Sequence, residues 1–384
     1  MVDIRLDRMN KYFDYIVIGG GASGCAVTHK LLNANQTVNL IESGYSHHNF
    51  LLDVPAGFFK LINNSKYATY HKTNPQKHLE NRINIVPQGN VLGGGTSINA
   101  QVYMRGRAED YNEWNDILRI NNDSAKWDWD TVLPYFKEME NNSRIENKYH
   151  SKKGRLKVSD SSHVDSLSYD FINSVASLGV EITDDFNGEN QEGFSRYEHT
   201  MHDTKLGPRR WSSARAYLHP ALKRKNLSTE TNVQVNKVIF DGKRAVGVEF
   251  QQKGKISTVK ANKEVILSAG AINSPQILMN SGIGDSKDLS KHGIEIVHEL
   301  KGVGKNLQDH YAVVNSFNCL KPVTLHRSAS FLRTQLSGLQ YLLLGTGDAA
   351  FPPTSAGAFI KSSPEKDIPD TQIHYASFHS PDLH

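Results

Sequence analysis

Apolar positions along this chain come in short bunches separated by glycine and polar residues. Tyr15 to Ile18 is a run rich in β-branched side chains, the pattern of a strand buried on both faces. It breaks at Gly19, Gly21 and Gly24, and Ala22 to Leu32 can carry a helix. A second apolar run, Thr37 to Ile41, ends on Glu42. The pattern predicts a βαβ unit with G-x-G-x-x-G in its first turn and an acid closing its second strand.

Farther along, Tyr45 to Asn84 has little periodicity and reads as a loop-rich excursion with interleaved aromatic residues. Ala108 to Leu118 and Asp130 to Met139 predict helices, with Asp128 or Asp130 able to cap the second. Asn141 to Lys153 is polar and reads as an exposed loop. Gly154 to Ser159 alternates like a strand, Ser166 to Leu178 has the spacing of an amphipathic helix, and the interval to Tyr197 reads as loops. Thr231 to Phe240, Ala245 to Phe250 and Ser257 to Val259 predict consecutive strands, the first two joined by an Asp241-Gly242 turn. Glu264 to Gly270 predicts another buried strand, and Ser274-Pro275 the start of a helix.

The first unit carries the clearest chemistry. Gly19 permits a tight turn, Gly21 lets a pyrophosphate approach the backbone, and Gly24 lets the helix sit close on the strand. A helix N-terminus offers N–H groups and the positive end of its dipole to phosphates. Glu42 lies 18 residues beyond Gly24, near the spacing of about 20 at which a carboxylate accepts from ribose hydroxyls. That carboxylate would repel a 2′-phosphate, which disfavours NADP. A second glycine-rich stretch, Gly89 to Asn99 with Gly93-Gly94-Gly95, implies either backbone contact with a ligand or a demanding turn. Arg209-Arg210-Trp211 is open to two readings, a stacking surface for a ligand or a solvated basic loop.

Bulk properties narrow the field. The chain has 384 residues, and its net charge of 44 − 40 = +4 is spread out, which gives no basis for a nucleic-acid partner. Cys25 and Cys319 form no metal or redox spacing and fit a reducing compartment; Cys25 reads as packing on the first helix. Met1 to Arg8 has no signal-peptide core, and the apolar stretch at Leu336 to Leu344 is too short to span a bilayer. The expectation is a cytoplasmic chain, with loose contact to the inner face of a membrane left open. The return of strand-then-glycine patterns after intervening sections implies a discontinuous nucleotide-binding domain.

Three separated stretches resemble the glucose–methanol–choline flavoprotein oxidoreductases. They are the βαβ unit; Gly89 to Asn99 continuing to Tyr103, Gly106 and Asn112; and Gly270 to Gly284. Val303 to His310, Ser213 to Leu218 and Tyr341 to Gly347 are similar to the family as well. The resemblance implies an α/β fold: a discontinuous Rossmann-like FAD-binding domain (1–45, 85–150 and 225–312), a connecting or lid region (46–84), and an incomplete α+β substrate domain (151–224 and 313–384). It implies FAD, with Gly19, Gly21, Ala22, Ser23 and Gly24 on the pyrophosphate and Glu42 on the ribose. Gly93, Gly94, Gly95, Thr96, Asn99, Ala100 and Val102 would pass along the flavin end, Val235 would meet the adenine, and Ala269 and Gly270 would close over the cofactor. Some family members tether flavin through a histidine where this chain has Asn99, so non-covalent FAD is expected.

The activity implied is oxidation of a primary alcohol, choline-like or another small one, to an aldehyde, with oxygen or a quinone as electron acceptor. A flavin-dependent lyase of the same fold, or a non-catalytic FAD-binding remnant, are the alternative readings. In the family the base is a histidine near the C-terminus, in a segment expected beyond His384. His310, His374, His379 and His384 read as surface or structural, and no catalytic residue and no metal ligand is assigned. The expected partners are a complementing C-terminal fragment or a homo-oligomer.

Overall fold

A computed structural model of the chain describes residues 12–328 and 330–378; Met1 to Arg8, His379 and His384 lie outside them. Two compact units are formed. The first comprises Met1–Asn49 (described from 12), Leu61–Ile98 and Ser212–Val314, and the second Phe50–Lys60, Asn99–Trp211 and Asn315–His384.

The first unit is built on one six-stranded sheet. Its strands are β1 (Tyr12–Ile18), β2 (Val38–Ile41), β3 (Leu227–Glu230), β4 (Gln234–Asp241), β5 (Arg244–Gln252) and β6 (Lys255–Leu267). They lie in the order β3-β2-β1-β6-β5-β4, parallel from β3 to β6 and antiparallel through β5 and β4. Both faces are covered, and the period of two shows it. Ile16 and Ile18 enter one core cluster with Val235 and Val248, while Val17 enters another with Leu40 and Cys25.

The strands expected at Ser257 and at Glu264 are one element. The first half of β6 pairs with β5 (Gln252↔Lys255) and the second half with β1 (Ile18↔Leu267), so its ladder runs through the polar stretch Lys260 to Lys263. The helix after it, α2 (Gly270–Asn280), starts before Ser274 and holds Pro275 inside. Gly270, at φ 84°, turns the chain out of β6 one turn earlier than the proline signals. Tyr45 to Asn84 is less irregular than expected, since Ala68–Lys72 pairs with Ile85–Gly89.

In the second unit the helices at Ala108–Ile120, Trp129–Met139 and Ser166–Ser177 form as expected, and Asp128 accepts the Thr131 N–H as an N-cap. The polar interval Asn141 to Lys153 is largely the exposed loop expected, with Ser143, Arg144, Glu146, Asn147, Lys148, Lys152 and Lys153 exposed, but it is tied down at buried positions. Glu140–Asn142 pairs with Leu156–Val158, and Glu140, Asn142 and His150 are fully buried. Their polarity is met by one another: Arg105 Nη2 donates to Glu140 Oε2 at 2.7 Å, and Asn142 Nδ2 to Glu198 Oε1 at 2.8 Å. His150 bridges Glu140 (Nδ1–Oε1, 2.9 Å) and Asp185 (Nε2–Oδ2, 3.0 Å). Glu140, His150 and Glu198 could together hold a metal ion. Arg105 and the His150 ring already occupy the two oxygens of Glu140, so a cation would have to displace a pair that is in place.

The interval before Tyr197 also holds a strand, Gly193–Arg196, which joins Ala356–Ile360 and Thr371–Tyr375 in a three-stranded sheet. Short, glycine-bearing and partly polar, these segments give little alternation to read. The helix α3 (Phe331–Leu344) ends at Gly345 (φ 68°) and fixes one face through the Tyr341 hydroxyl, which donates to the Pro208 carbonyl at 2.6 Å. Among the described residues no helix is long and apolar enough to cross a membrane.

Candidate functional site

The parallel strands of the first unit end at one level. Gly19 N–H donates to the Ile41 carbonyl at 2.8 Å, Ser268 N–H to the Ile18 carbonyl at 2.8 Å, and Glu42 N–H to the Glu230 carbonyl at 2.8 Å. The segments that leave the sheet there, after β1, β2 and β6, converge at its carboxyl edge, where open α/β sheets bind ligands. They border a cavity of about 410 Å³.

The turn into α1 (Ala22–Asn33) is glycine for two reasons of space. A Cβ on Gly24 would lie 1.9 Å from the Gly19 carbonyl oxygen, so the helix could not sit so close on the strand. A Cβ on Gly21 would meet nothing within 4 Å, because it would point into the open cavity. No side chain caps the N-terminus of α1, and its first turn has no acid. That leaves a helix end suited to an anionic group.

The second glycine stretch abuts the first. Gly93 N–H donates to the Gly20 carbonyl at 2.7 Å, and a Cβ on Gly94 would lie 2.9 Å from the Gly21 Cα. The two loops touch backbone to backbone, which requires glycine at position 94; Gly93 has a φ of 92° and packs against Ser97, and a Cβ on Gly95 would meet nothing within 4 Å. Thr96 fastens the join: its hydroxyl donates to the Gly93 carbonyl at 2.6 Å and lies 2.9 Å from that of Ser213.

Glu42 is buried at the cavity edge. Its Oε2 accepts from Gly20 N–H at 2.7 Å and its Oε1 from Gly44 N–H at 2.9 Å. Burial raises its pKa above the ordinary carboxylate value, and the N–H donors oppose that shift. Cys25 is inert packing: its thiol donates to the Gly20 carbonyl at 3.2 Å, and burial pushes its pKa up to about 12.

Of the residues singled out from sequence, Gly19, Gly21, Ala22, Ser23, Glu42, Gly94, Gly95, Val235, Ala269 and Gly270 border this one cavity. Gly24, Gly93 and Thr96 stand behind it as packing. Asn99, Ala100 and Val102 belong to the second unit. There the Arg210 Nη1 donates to both the Asn99 carbonyl (2.7 Å) and its side-chain oxygen (2.8 Å), and Val102 bridges to His199. Arg210 is fully buried and Arg209 lies 5.5 Å over the Phe50 ring, so this pair forms neither a ligand stack nor a solvated loop. His310 is exposed, and His374 lies 5.5 Å from the Tyr197 ring on its strand.

Sequence reasoning missed Gln88 and Asn273, which also border the cavity. Gln88 Oε1 is 2.7 Å from His71 Nε2, and Gln88 Nε2 donates to the Ala269 carbonyl at 3.4 Å, joining the Ile85–Gly89 strand to the start of α2. Its place directly before Gly89 was the available signal. A bare glycine floor, an uncapped helix end and a carboxylate at the second strand's end fit the phosphates and ribose of a dinucleotide.

The family model described as GMC oxidoreductase matches residues 13–312. The chain is 38% identical over 363 residues to the oxygen-dependent choline dehydrogenase of Brucella anthropi, covering 94% of this chain and 64% of that protein. It is 38% identical over 371 residues to the mitochondrial choline dehydrogenase of Homo sapiens, covering 94% and 61%. Among solved structures it is similar to pyridoxine 4-oxidase from Mesorbium loti (26% identity, TM-score 0.73, 91% and 63% covered). An FAD-dependent oxidoreductase from Chaetomium thermophilum is similar too (25% identity, TM-score 0.79, 90% and 61% covered). The chain thus spans under two thirds of the length of these relatives, and its fold is theirs over that span. On the family match and the 38% identity across nearly its whole length, the chain belongs to the GMC oxidoreductase family.

Proposed function

We propose that this chain binds FAD without a covalent bond in the cavity at the sheet's carboxyl edge, and serves an enzyme that oxidises a small primary alcohol, choline-like in character, to an aldehyde. The observation that carries the reading is the contact of the two glycine loops beside Glu42. It leaves a cradle that a phosphate can enter and a carboxylate where a ribose would lie. The relatives named choline dehydrogenase support the substrate class.

Bound FAD supplies a two-electron acceptor for the hydride of an alcohol C–H. The residues of this chain do the holding. The N–H groups at the start of α1 meet the pyrophosphate, Glu42 accepts from ribose hydroxyls, and Val235 borders the adenine. Gly21 and Gly94, without side chains, keep the approach open. Asn99 has no nucleophilic ring nitrogen, which supports a cofactor that denaturation releases.

The test is direct. The purified chain, incubated with FAD and desalted, should show a flavin absorption spectrum, and acid precipitation should leave all the flavin in the supernatant. Flavin retained in the pellet would refute the non-covalent assignment, and no uptake at all would refute the site. Anaerobic bleaching of the flavin by choline, and not by a secondary alcohol of similar size, would support the substrate class.

A further inference from the structure

The side-chain amide of Gln88 is saturated at its oxygen and not at its nitrogen. Thr69, His71, Val86 and Gln88 share one face of the antiparallel pair Ala68–Lys72 and Ile85–Gly89, and Thr69 and Gln88 border the cavity. Gln88 Oε1 takes two donors, His71 Nε2 at 2.7 Å and Asn273 Nδ2 at 3.5 Å. A carbonyl oxygen only accepts, so the imidazole presents an N–H there, as both its neutral Nε2–H tautomer and its cation can. The reversed amide is excluded, because it would set its oxygen against the Ala269 carbonyl oxygen. In the orientation present, Nε2 donates to that carbonyl at 3.4 Å, long for such a bond. Its second N–H has no acceptor among the described residues. The nitrogen lies over the first residue of α2, since a Cβ on Gly270 would stand 2.8 Å from it.

We propose that Gln88 contacts the bound cofactor, its second N–H donating to an acceptor oxygen of the FAD phosphate–ribitol chain, and that His71 is a positioning residue that aims the amide. The inference rests on the FAD site proposed above and adds to it two side chains of the hairpin. A neutral N–H donor suits an anionic ligand in a cavity with no lysine or arginine among its described residues. The His71 bond is much the shortest of the three the amide makes, so it sets the plane of the amide before any ligand arrives. An amide already oriented loses less freedom on binding. A purely structural tie between the hairpin and α2 explains less. That link runs through the two longest bonds, to Ala269 at 3.4 Å and from Asn273 at 3.5 Å, and leaves an N–H at the cavity wall unused.

The test titrates the full chain with FAD by fluorescence and reads its melting midpoint without cofactor. Gln88→Met keeps the length and loses both amide groups. It should weaken FAD binding about fivefold, the size of one hydrogen bond, and shift the melting midpoint by no more than about 3 °C. Gln88→Glu keeps an oxygen for His71 but puts an acceptor where the donor was, so its affinity should fall below that of the Met variant. His71→Phe should weaken binding about threefold in the parent and leave a Gln88→Met background unchanged, the coupling of a residue that acts through its neighbour. A Gln88→Met variant within about twofold of a parent that does take up FAD would overturn the assignment and leave the site standing. So would a melting midpoint lowered by more than about 5 °C in both Gln88 variants, the mark of a structural tie. A loss of the same size from His71→Phe in both backgrounds would overturn the role of His71. A parent that takes up no FAD would overturn the site and this inference together.

Discussion

Glu42 grips the backbone of the first glycine turn: its Oε2 accepts the Gly20 N–H at 2.7 Å while its Oε1 accepts the Gly44 N–H. One side chain therefore fixes the turn and stands at the cavity edge. Glu42→Ala removes both acceptors and leaves two buried N–H groups without partners. The expected loss is about 2–4 kcal/mol of stability, together with FAD binding weakened roughly tenfold or more. Urea unfolding and fluorescence titration with FAD check the two effects separately. Glu42→Gln, which keeps an oxygen, should recover part of the stability.

Two glycines five residues or fewer from that turn should respond oppositely. Gly24→Ala drives a methyl to 1.9 Å from a backbone oxygen that has no room to move, so a loss of about 3 kcal/mol or more is expected, read as insolubility or a collapsed melting midpoint. Gly21→Ala puts its methyl in open space; stability should stay within about 1 kcal/mol while FAD affinity falls. A thermal melt beside an FAD titration of both variants separates folding from binding.

The His150 bridge predicts a pH dependence. Burial alone would lower the pKa of the ring, but the hydrogen bonds to Asp185 and Glu140 outweigh it and raise it from 6.5 to about 9. A raised folded-state value stabilises fully below the unfolded 6.5 and is lost as pH rises through about 9. Glu140 and Asp185 are shifted down against their own burial, so their share is present above the ordinary carboxylate range and lost as pH falls below it. Stability measured by urea should therefore be highest between these limits. His150→Gln should lower it by about 3 kcal/mol near neutrality and flatten the alkaline decline.

Arg210 holds Asn99 through two bonds from one nitrogen, inside the second unit. Arg210→Met removes a buried cation and one donor from each Asn99 oxygen, while the Gln101 N–H stays on the side-chain oxygen at 3.1 Å, and a loss of about 1–3 kcal/mol is expected. Arg210→Lys, which restores a charge but not the planar fork, should recover only part of it in the same unfolding assay.

What could be read in advance follows a physical line. Tyr15 to Glu42 was legible because its signals are close together in sequence: Gly19 takes a left-handed φ of 95°, Gly24 answers to the Gly19 carbonyl five residues before it, and the strand is buried on both faces. Thr96 and Gln88 act on segments more than a hundred residues distant, at Ser213 and Ala269, and nothing in their neighbourhood announces it. The polar stretch around Glu140 and His150 misleads for the same reason. Polarity normally signals exposure, and only the fold brings Arg105 and Asp185 close enough to bury it. Arg210, open on composition to either a ligand-stacking or a solvated reading, is fully buried.

Among the described residues bordering the cavity, Glu42 alone can titrate and none is lysine or arginine. A pyrophosphate bound there as proposed would be gripped by main-chain dipoles, which have no pKa and carry no net charge to be screened. Cofactor retention should hold nearly constant across neutral pH and from low to high salt, where a lysine-lined phosphate site would weaken.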